Sequence, residues 1–151
     1  MLSNQIFLNV IDASPLVSID LVIRNSKGEV LLGKRTNKPA QGFWFVPGGR
    51  VLKGEQLNDA FKRLCCNELA LKLERNHARM LGVYEHFYDD NFLGVENIST
   101  HYIVLGYEIT LAENLPINLD QQHSEQRWWS VDLLLNSDLV HANTKAYFYH
   151  D

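Results

Sequence analysis

Cysteine is scarce in this chain: two in 151 residues, Cys65 and Cys66, side by side. Adjacent thiols cannot tie distant segments together, so no disulfide framework is expected, and reduced thiols suit a cytoplasmic setting. Basic charge is short as well. Fourteen lysines and arginines face eighteen acids for a net charge of −4, which leaves no basic footprint for DNA or RNA. An anionic ligand must therefore be held by a few placed arginines or by a metal, not by the field of the whole molecule. No apolar run of about 18 residues occurs, which argues against a membrane span. The start, MLSNQIFLNVIDASP, lacks a basic stretch followed by an apolar one and is not expected to act as a secretory signal. Low-complexity tracts, internal repeats and linkers are missing too. With 46% apolar and 21% charged residues, residues 1–151 are expected to fold as one domain.

What is present alternates. LVSIDLVIR, from Leu16 to Arg24, places Val17, Ile19, Leu21 and Ile23 on one face and Ser18, Asp20 and Arg24 on the other, the pattern of a strand. NSKG (Asn25 to Gly28) is a turn, and EVLLGKR returns as a second strand. FWFV is a short strand that ends at PGG (Pro47 to Gly49), after the loop TNKPAQG. Strands are expected at Met80 to Phe87 and Thr100 to Ile109, separated by the loop YDDNFLGVENIS. LPINLDQQHSEQ (Leu115 to Gln126) is a loop before a brief strand, RWWS. A short amphipathic helix is expected at Asn4 to Ile11, and a terminal helix from Val131. Strands interleaved with helices predict an α/β fold, a mixed sheet covered on both faces.

The helix predicted over Gln56 to Leu73 carries an anomaly. At roughly 100° per residue, Leu57, Ala60, Leu64, Cys65, Leu69 and Leu71 gather around Phe61 as its apolar side. Glu68 falls in the middle of that side. An inward carboxylate is costly without a charged partner, and geometry alone admits two, a metal or a buried arginine.

The spacing around this helix resembles the signature of the Nudix hydrolases. Gly49 is followed after five residues by Glu55, after seven more by Arg63, and then by Glu68, Leu69 and Leu71. The signature is a glycine-rich loop and a helix whose glutamates hold Mg²⁺ or Mn²⁺ against a nucleoside diphosphate. This chain departs from it at Leu64 and Asn67, where the pattern has glutamates, and at Ala70, where it has glycine. A site that keeps one carboxylate neutralises two or three metals poorly, so one is expected per subunit. The departures match a subgroup. PLVSIDLVIRNSKGEVLLGKRTNKPAQGFWFVPGGRV, HFYDDNF, THYIVLGY, DQQHSEQRW and VHANTKAYF together resemble the GDP-mannose mannosyl hydrolases, which lack the same glutamates.

The resemblance implies a Nudix fold, an α/β/α sandwich, and hydrolysis of GDP-mannose or GDP-glucose to GDP and free sugar. Water attacks carbon 1 of the sugar with inversion. It implies that His123 is the general base and that the Gly48 carbonyl, Glu68 and Gln122 hold Mg²⁺. Arg35 and Arg50 would clamp the diphosphate, Tyr102 would hydrogen-bond it as it leaves, Asp20 would contact the sugar, and His86 would orient it. A homodimer is implied as well. Without the resemblance these residues read more plainly: His123 as a solvated loop histidine, Arg35 as a strand-end cation, Tyr102 as an ordinary strand tyrosine, and Asp20 as the partner of an arginine. Glu55 and Arg63 are expected to form a structural ion pair. HFYDDNF reads either as a sugar-binding lid or as a surface loop that buries Phe87. VHANTKAYF is a candidate for base recognition. Two other functions compete: an ordinary Nudix pyrophosphohydrolase attacking phosphorus, and a nucleotide-sugar binding module without catalysis.

Overall fold

A computed structural model of the chain describes residues 2–112 and 125–149. Helix α1 (Asn4–Ala13) starts at Ser3, whose Oγ accepts the Ile6 N–H at 3.3 Å, and it gives way to strand β1 (Leu16–Arg24). Strands β2 (Val30–Lys34), β3 (Trp44–Phe45) and β4 (Gly48–Arg50) follow. Helix α2 (Leu57–Leu69) leads to the long strands β5 (Arg79–Tyr88) and β6 (Thr100–Thr110). The chain closes with β7 (Gln126–Trp129) and two short helices, α3 (Val131–Leu135) and α4 (Ala142–Lys145).

One sheet runs in the order β3-β2-β1-β6-β5, with β4 paired to β1 and β7 paired to β2. It is mixed: β1 and β6 run parallel over their whole length, and the other pairs are antiparallel. On one face, Ile19, Leu21 and Ile23 of β1 meet Phe61, Leu64, Cys65 and Leu69 of α2. On the other, Val22, Trp44, Trp129, Leu134 and Phe148 form a second core under the C-terminal elements. The expected α/β/α sandwich is therefore the observed architecture.

The even-numbered residues of β1 do not face solvent as their polarity suggests. Ser18 and Val22 are buried, whereas Val17 on the apolar side is 43% exposed. The reason is position: β1 is interior in the sheet and covered on both faces, so its polar residues line an enclosed space. Strand β4 also escapes the sequence pattern. The glycine run reads as a loop, yet its backbone pairs with Ser18, Ile19 and Asp20.

Helix α2 stops four residues before the sequence suggests. Ala70 caps it with φ 54° and ψ 31°, left-handed backbone, and Ala70 and Leu71 donate to Cys66 and Cys65 carbonyls. Leu71 and Leu73 still pack on the first core, so the apolar rhythm outlasts the helix. Glycine takes this conformation without the Cβ penalty that alanine bears. Ala70→Gly should stabilise the fold by about 1 kcal/mol, readable as a higher urea midpoint; an unchanged midpoint would mean the alanine is unstrained. The predicted terminal helix is broken in two. Ser130 Oγ caps α3 on the Leu133 N–H and His141 Nδ1 caps α4 on the Asn143 N–H, so each piece has its own start signal.

Candidate active site

Every predicted site residue within the described chain lines one cleft. Asp20 reaches it from β1, Arg35 from the end of β2, Gly48 and Arg50 from β4, Glu68 from α2, His86 from β5 and Tyr102 from β6. The cleft has a volume of about 380 Å³. Gln122 and His123 lie outside the described residues. Gln126, at the start of β7, lines the same cleft, and its side-chain amide donates to the Glu68 carbonyl oxygen at 3.4 Å. Lys34, which reads as a surface cation, is exposed but stands on the cleft wall. Four cations, Lys34, Arg35, Lys38 and Arg50, thus meet two carboxylates, Asp20 and Glu68. The protein is acidic as a whole and its cleft is not, an arrangement that attracts an anion to this place.

The arginines are seated on aromatic rings. The Arg35 guanidinium lies 3.9 Å from the Phe45 ring centre and donates to the Pro39 carbonyl at 2.9 Å. Arg50 lies 4.4 Å from the centre of Phe7, a residue of α1, and Phe7 in turn packs on Phe92 at 5.0 Å. Beneath it, Arg63 makes the expected pair with Glu55 at 2.8 Å and also donates to the Arg50 carbonyl at 2.8 Å. Arg50 is thus held at its backbone from one side and at its head from the other.

Gly48 is required by its neighbours: a Cβ there would collide with the Ile19 carbonyl oxygen and the Asp20 carboxylate. Gly49 faces Leu64, and an added Cβ would stand 2.5 Å from Leu64 Cδ2. Leu64 is 3% exposed and fills, as core, a position that carries a glutamate in the wider signature. Glu68 is half-buried. Among the described residues its carboxylate makes no hydrogen bond or ion pair, and burial pushes its pKa above the usual carboxylate range. Of the two partners geometry allows, the buried arginine is not supplied by the described residues. A hard cation fits this oxygen, beside the Gly48 backbone, on chemical grounds. No cluster of three or more His, Cys, Asp and Glu able to hold a metal occurs among the described residues, so a cation here would lean on neutral oxygens besides Glu68.

Asp20 has a partner that the sequence does not disclose. Tyr147 Oη donates to its Oδ2 at 2.7 Å, and burial raises its pKa to about 6 against the pull of that bond and of Arg35. His86 is buried, and desolvation with the charges of Arg35 and His141 lowers its pKa to about 4. Folded His86 is therefore neutral where the unfolded chain would protonate it, so its contribution to stability is full above 6.5 and fades as pH falls toward 4. Asp20 acts oppositely: its contribution is full below 3.8 and is lost as pH rises through about 6. In the wild type these two contributions oppose each other, so His86→Asn should leave the Asp20 contribution uncompensated and make unfolding free energy fall more steeply with pH between about 4 and 6. An unaltered slope in urea titrations would show that His86 titrates freely.

One expectation changes. Phe87 is 64% exposed and stacks on His101 at 4.3 Å, while His86 and Tyr88 are buried. Strand alternation forces this, since two neighbours facing the cleft send Phe87 to the other side. The loop beyond is pinned by Asn91, fully buried, whose amide donates to the Val95 and Ile98 carbonyls and whose oxygen accepts from Leu93 and Val95. These bonds close a turn from Asn91 to Ile98. VHANTKAYF backs the described wall of the cleft: Tyr147 bonds Asp20 and His141 stacks on Phe45 at 4.8 Å, while Val140 and Phe148 belong to the second core. Phe7, Phe45 and Tyr147 are the contributors that sequence patterns miss, because each acts through a contact between distant segments.

Among known families, the NUDIX domain matches residues 14–151. The chain belongs to the Nudix family. Members of this hydrolase superfamily generally use divalent metals such as Mg²⁺. This Nudix chain is 48% identical over 112 residues, 74% of its length and 68% of the relative's, to the low-salt glycan biosynthesis protein Agl8 of Haloferax volcanii. Its fold is similar to the MutT protein of Methanosarcina mazei Go1, with TM-score 0.67, 21% identity and coverage of 91% and 93% of the two chains. The MutT Nudix hydrolase of Burkholderia pseudomallei gives TM-score 0.65 at 27% identity, covering 89% and 95%. Helix α1, with Phe7, falls before the matched region. No helix among the described residues is long and apolar enough to cross a membrane.

Proposed function

We propose that this Nudix protein hydrolyses GDP-mannose, and GDP-glucose as a second substrate, to GDP and free sugar by attack of water on carbon 1. The observation that carries this reading is the convergence of Asp20, Arg35, Gly48, Arg50, Glu68, His86 and Tyr102 on one cleft. Its polarity is right for the substrate. The arginines suit a diphosphate, and Asp20, with buried His86 and Tyr102, suits a sugar-sized neighbour with hydroxyls. The name of the Haloferax relative, a glycan biosynthesis protein, favours a sugar-nucleotide substrate. Leu64 weighs against attack on phosphorus, because that route draws on a denser set of carboxylates and this position is apolar core.

In this mechanism His123 accepts a proton from water as its oxygen bonds to carbon 1. The bond from carbon 1 to the β-phosphate oxygen breaks, and its electron pair leaves with GDP. Arg35 and Arg50 hold the diphosphate and offset the charge that grows on it; Tyr102 donates a hydrogen bond to it. Asp20 stands where positive charge develops on the sugar, in a transition state like that of glycoside hydrolysis. Neutral His86 orients a sugar hydroxyl. Glu68, the Gly48 carbonyl and Gln122 would hold one Mg²⁺ per subunit, a role Mn²⁺ can also fill, which when bound neutralises the diphosphate and eases its departure. The working unit is a one-domain chain, paired as a homodimer, and the free thiols Cys65 and Cys66 suit a cytoplasmic setting.

Turnover of GDP-mannose in ¹⁸O-labelled water with Mg²⁺ tests the reading. Label in the free sugar, and none in GDP, is the expected result. GMP with sugar phosphate would replace it by ordinary pyrophosphohydrolase chemistry, and tight binding without turnover would make the protein a nucleotide-sugar binding module.

A further inference from the structure

Asp20 sits on the face of β1 that also carries Val22 into the second core, and its parallel neighbour on β6 is Gly106. A Cβ on Gly106 would stand 2.8 Å from Tyr147 Cε1 and 3.5 Å from Tyr84 Cε1. The Tyr147 ring therefore occupies the space that a side chain on β6 would take. Tyr84 closes on it edge-to-face at 4.6 Å and 78°, Phe148 lies 6.4 Å away on another side, and the ring is buried. From this seat the hydroxyl meets Asp20 Oδ2 at 2.7 Å. The other oxygen, Oδ1, is turned toward Gly48, where an added Cβ would lie 2.7 Å from it. One carboxylate oxygen is thus tied to the C-terminal segment and the other lies on the Gly48 side, where the cleft opens.

We propose that Tyr147 is a positioning residue for this site: seated on the bare backbone of Gly106, it holds Asp20 Oδ2 and leaves Oδ1 to the sugar of the substrate. The proposal rests on the sugar-nucleotide hydrolase reading above. Arg35, Tyr88 and Tyr102 also lie within electrostatic reach of the carboxylate, but among the described side chains only Tyr147 hydrogen-bonds it. A charge-assisted bond of this kind fixes orientation more than it adds attraction, because the rotamer of a buried carboxylate has few other restraints.

The test uses the full chain as Tyr147→Phe, Asp20→Ala and the double variant. Phenylalanine keeps the ring on Gly106 and removes only the hydroxyl. Tyr147→Phe should lower kcat for GDP-mannose about tenfold, with KM within about twofold and the melting temperature little changed. In the Asp20→Ala background the same change should cost nothing further, since the group it orients is gone. Unchanged kcat in the single variant, or losses that multiply in the double, would overturn the proposal. A crystal structure of Tyr147→Phe gives a readout free of turnover: the Asp20 carboxylate should rotate away from its position, and a carboxylate that stays put also overturns the proposal. If wild type fails to hydrolyse GDP-mannose while the carboxylate does rotate, the substrate reading falls and the positioning of Asp20 stands for whatever ligand fills the cleft.

Discussion

His123→Gln is expected to lower kcat for GDP-mannose by about a hundredfold to ten-thousandfold, the range of one lost general base. KM and the Mg²⁺ concentration that activates the enzyme should stay close to wild type. The residue's chemistry sets this split. An imidazole with a pKa near working pH can take the proton of an attacking water, whereas glutamine can only hydrogen-bond it. Within the cleft, the described residues offer two alternatives. His86 is buried and its pKa is lowered to about 4; Asp20, raised to about 6, is assigned to the sugar, and were it the base instead, His123→Gln would leave kcat unchanged. Glu68 lacks a described partner and is better placed as a cation ligand than as a proton carrier. Steady-state kinetics with Mg²⁺ titrated at saturating substrate decide the matter. Turnover equal to wild type would remove His123 from the mechanism and return the search to the cleft walls.

Glu68→Gln should raise the activating Mg²⁺ concentration about tenfold to a hundredfold, because it removes the one anionic ligand and leaves neutral oxygens. Its effect on the metal-free protein should have a different sign from most buried substitutions. Burial holds the Glu68 carboxyl above its usual range, and no cation among the described residues forms an ion pair with it. At neutral pH the charge is therefore a burden on the metal-free fold, and the isosteric amide relieves it. Calorimetric unfolding without metal should show the variant no less stable than wild type, while added Mg²⁺ raises the melting temperature of wild type alone. A variant that is strongly destabilised without metal, and still responds fully to Mg²⁺, would show that Glu68 is a structural residue.

The two substitutions probe different parts of one economy of charge. The wider signature neutralises its metals with several carboxylates; here Leu64 occupies one such position as core, packed toward Gly49. What remains is a single described carboxylate on α2 facing a cleft lined by four cations. That ratio favours a diphosphate that brings its own negative charge and leaves intact, as it does when the sugar carbon is attacked.

Much of this was legible from residue order. Alternation over Leu16 to Arg24 marks β1, the apolar rhythm around Phe61 marks α2, and the inward Glu68 marks the need for a cation. Each depends on residues a few positions apart, within reach of helix or strand geometry. The resemblance to the Nudix signature implies the Arg63–Glu55 pair, which spans eight residues. Local pattern fails at α2's end, where Leu71 and Leu73 continue the apolar rhythm after Ala70 has turned the chain. It fails again at β1, whose polar residues look solvent-facing until the second layer covers them.

The tertiary structure alone decided which side chains hold the site in place. Tyr147 and Asp20 are 127 positions apart and meet because β1 lies beside β6, whose Gly106 leaves room for a ring from the C-terminal segment. Phe7 of α1 lies under the guanidinium of Arg50 on β4, again a contact between distant segments. Periodicity records how a residue faces its own element; it carries no record of which distant element faces back. The local elements and the residue types they carry were thus determined by the sequence alone, whereas the orientation of the groups was settled by long-range packing, since only the folded sheet brings those segments within bonding distance.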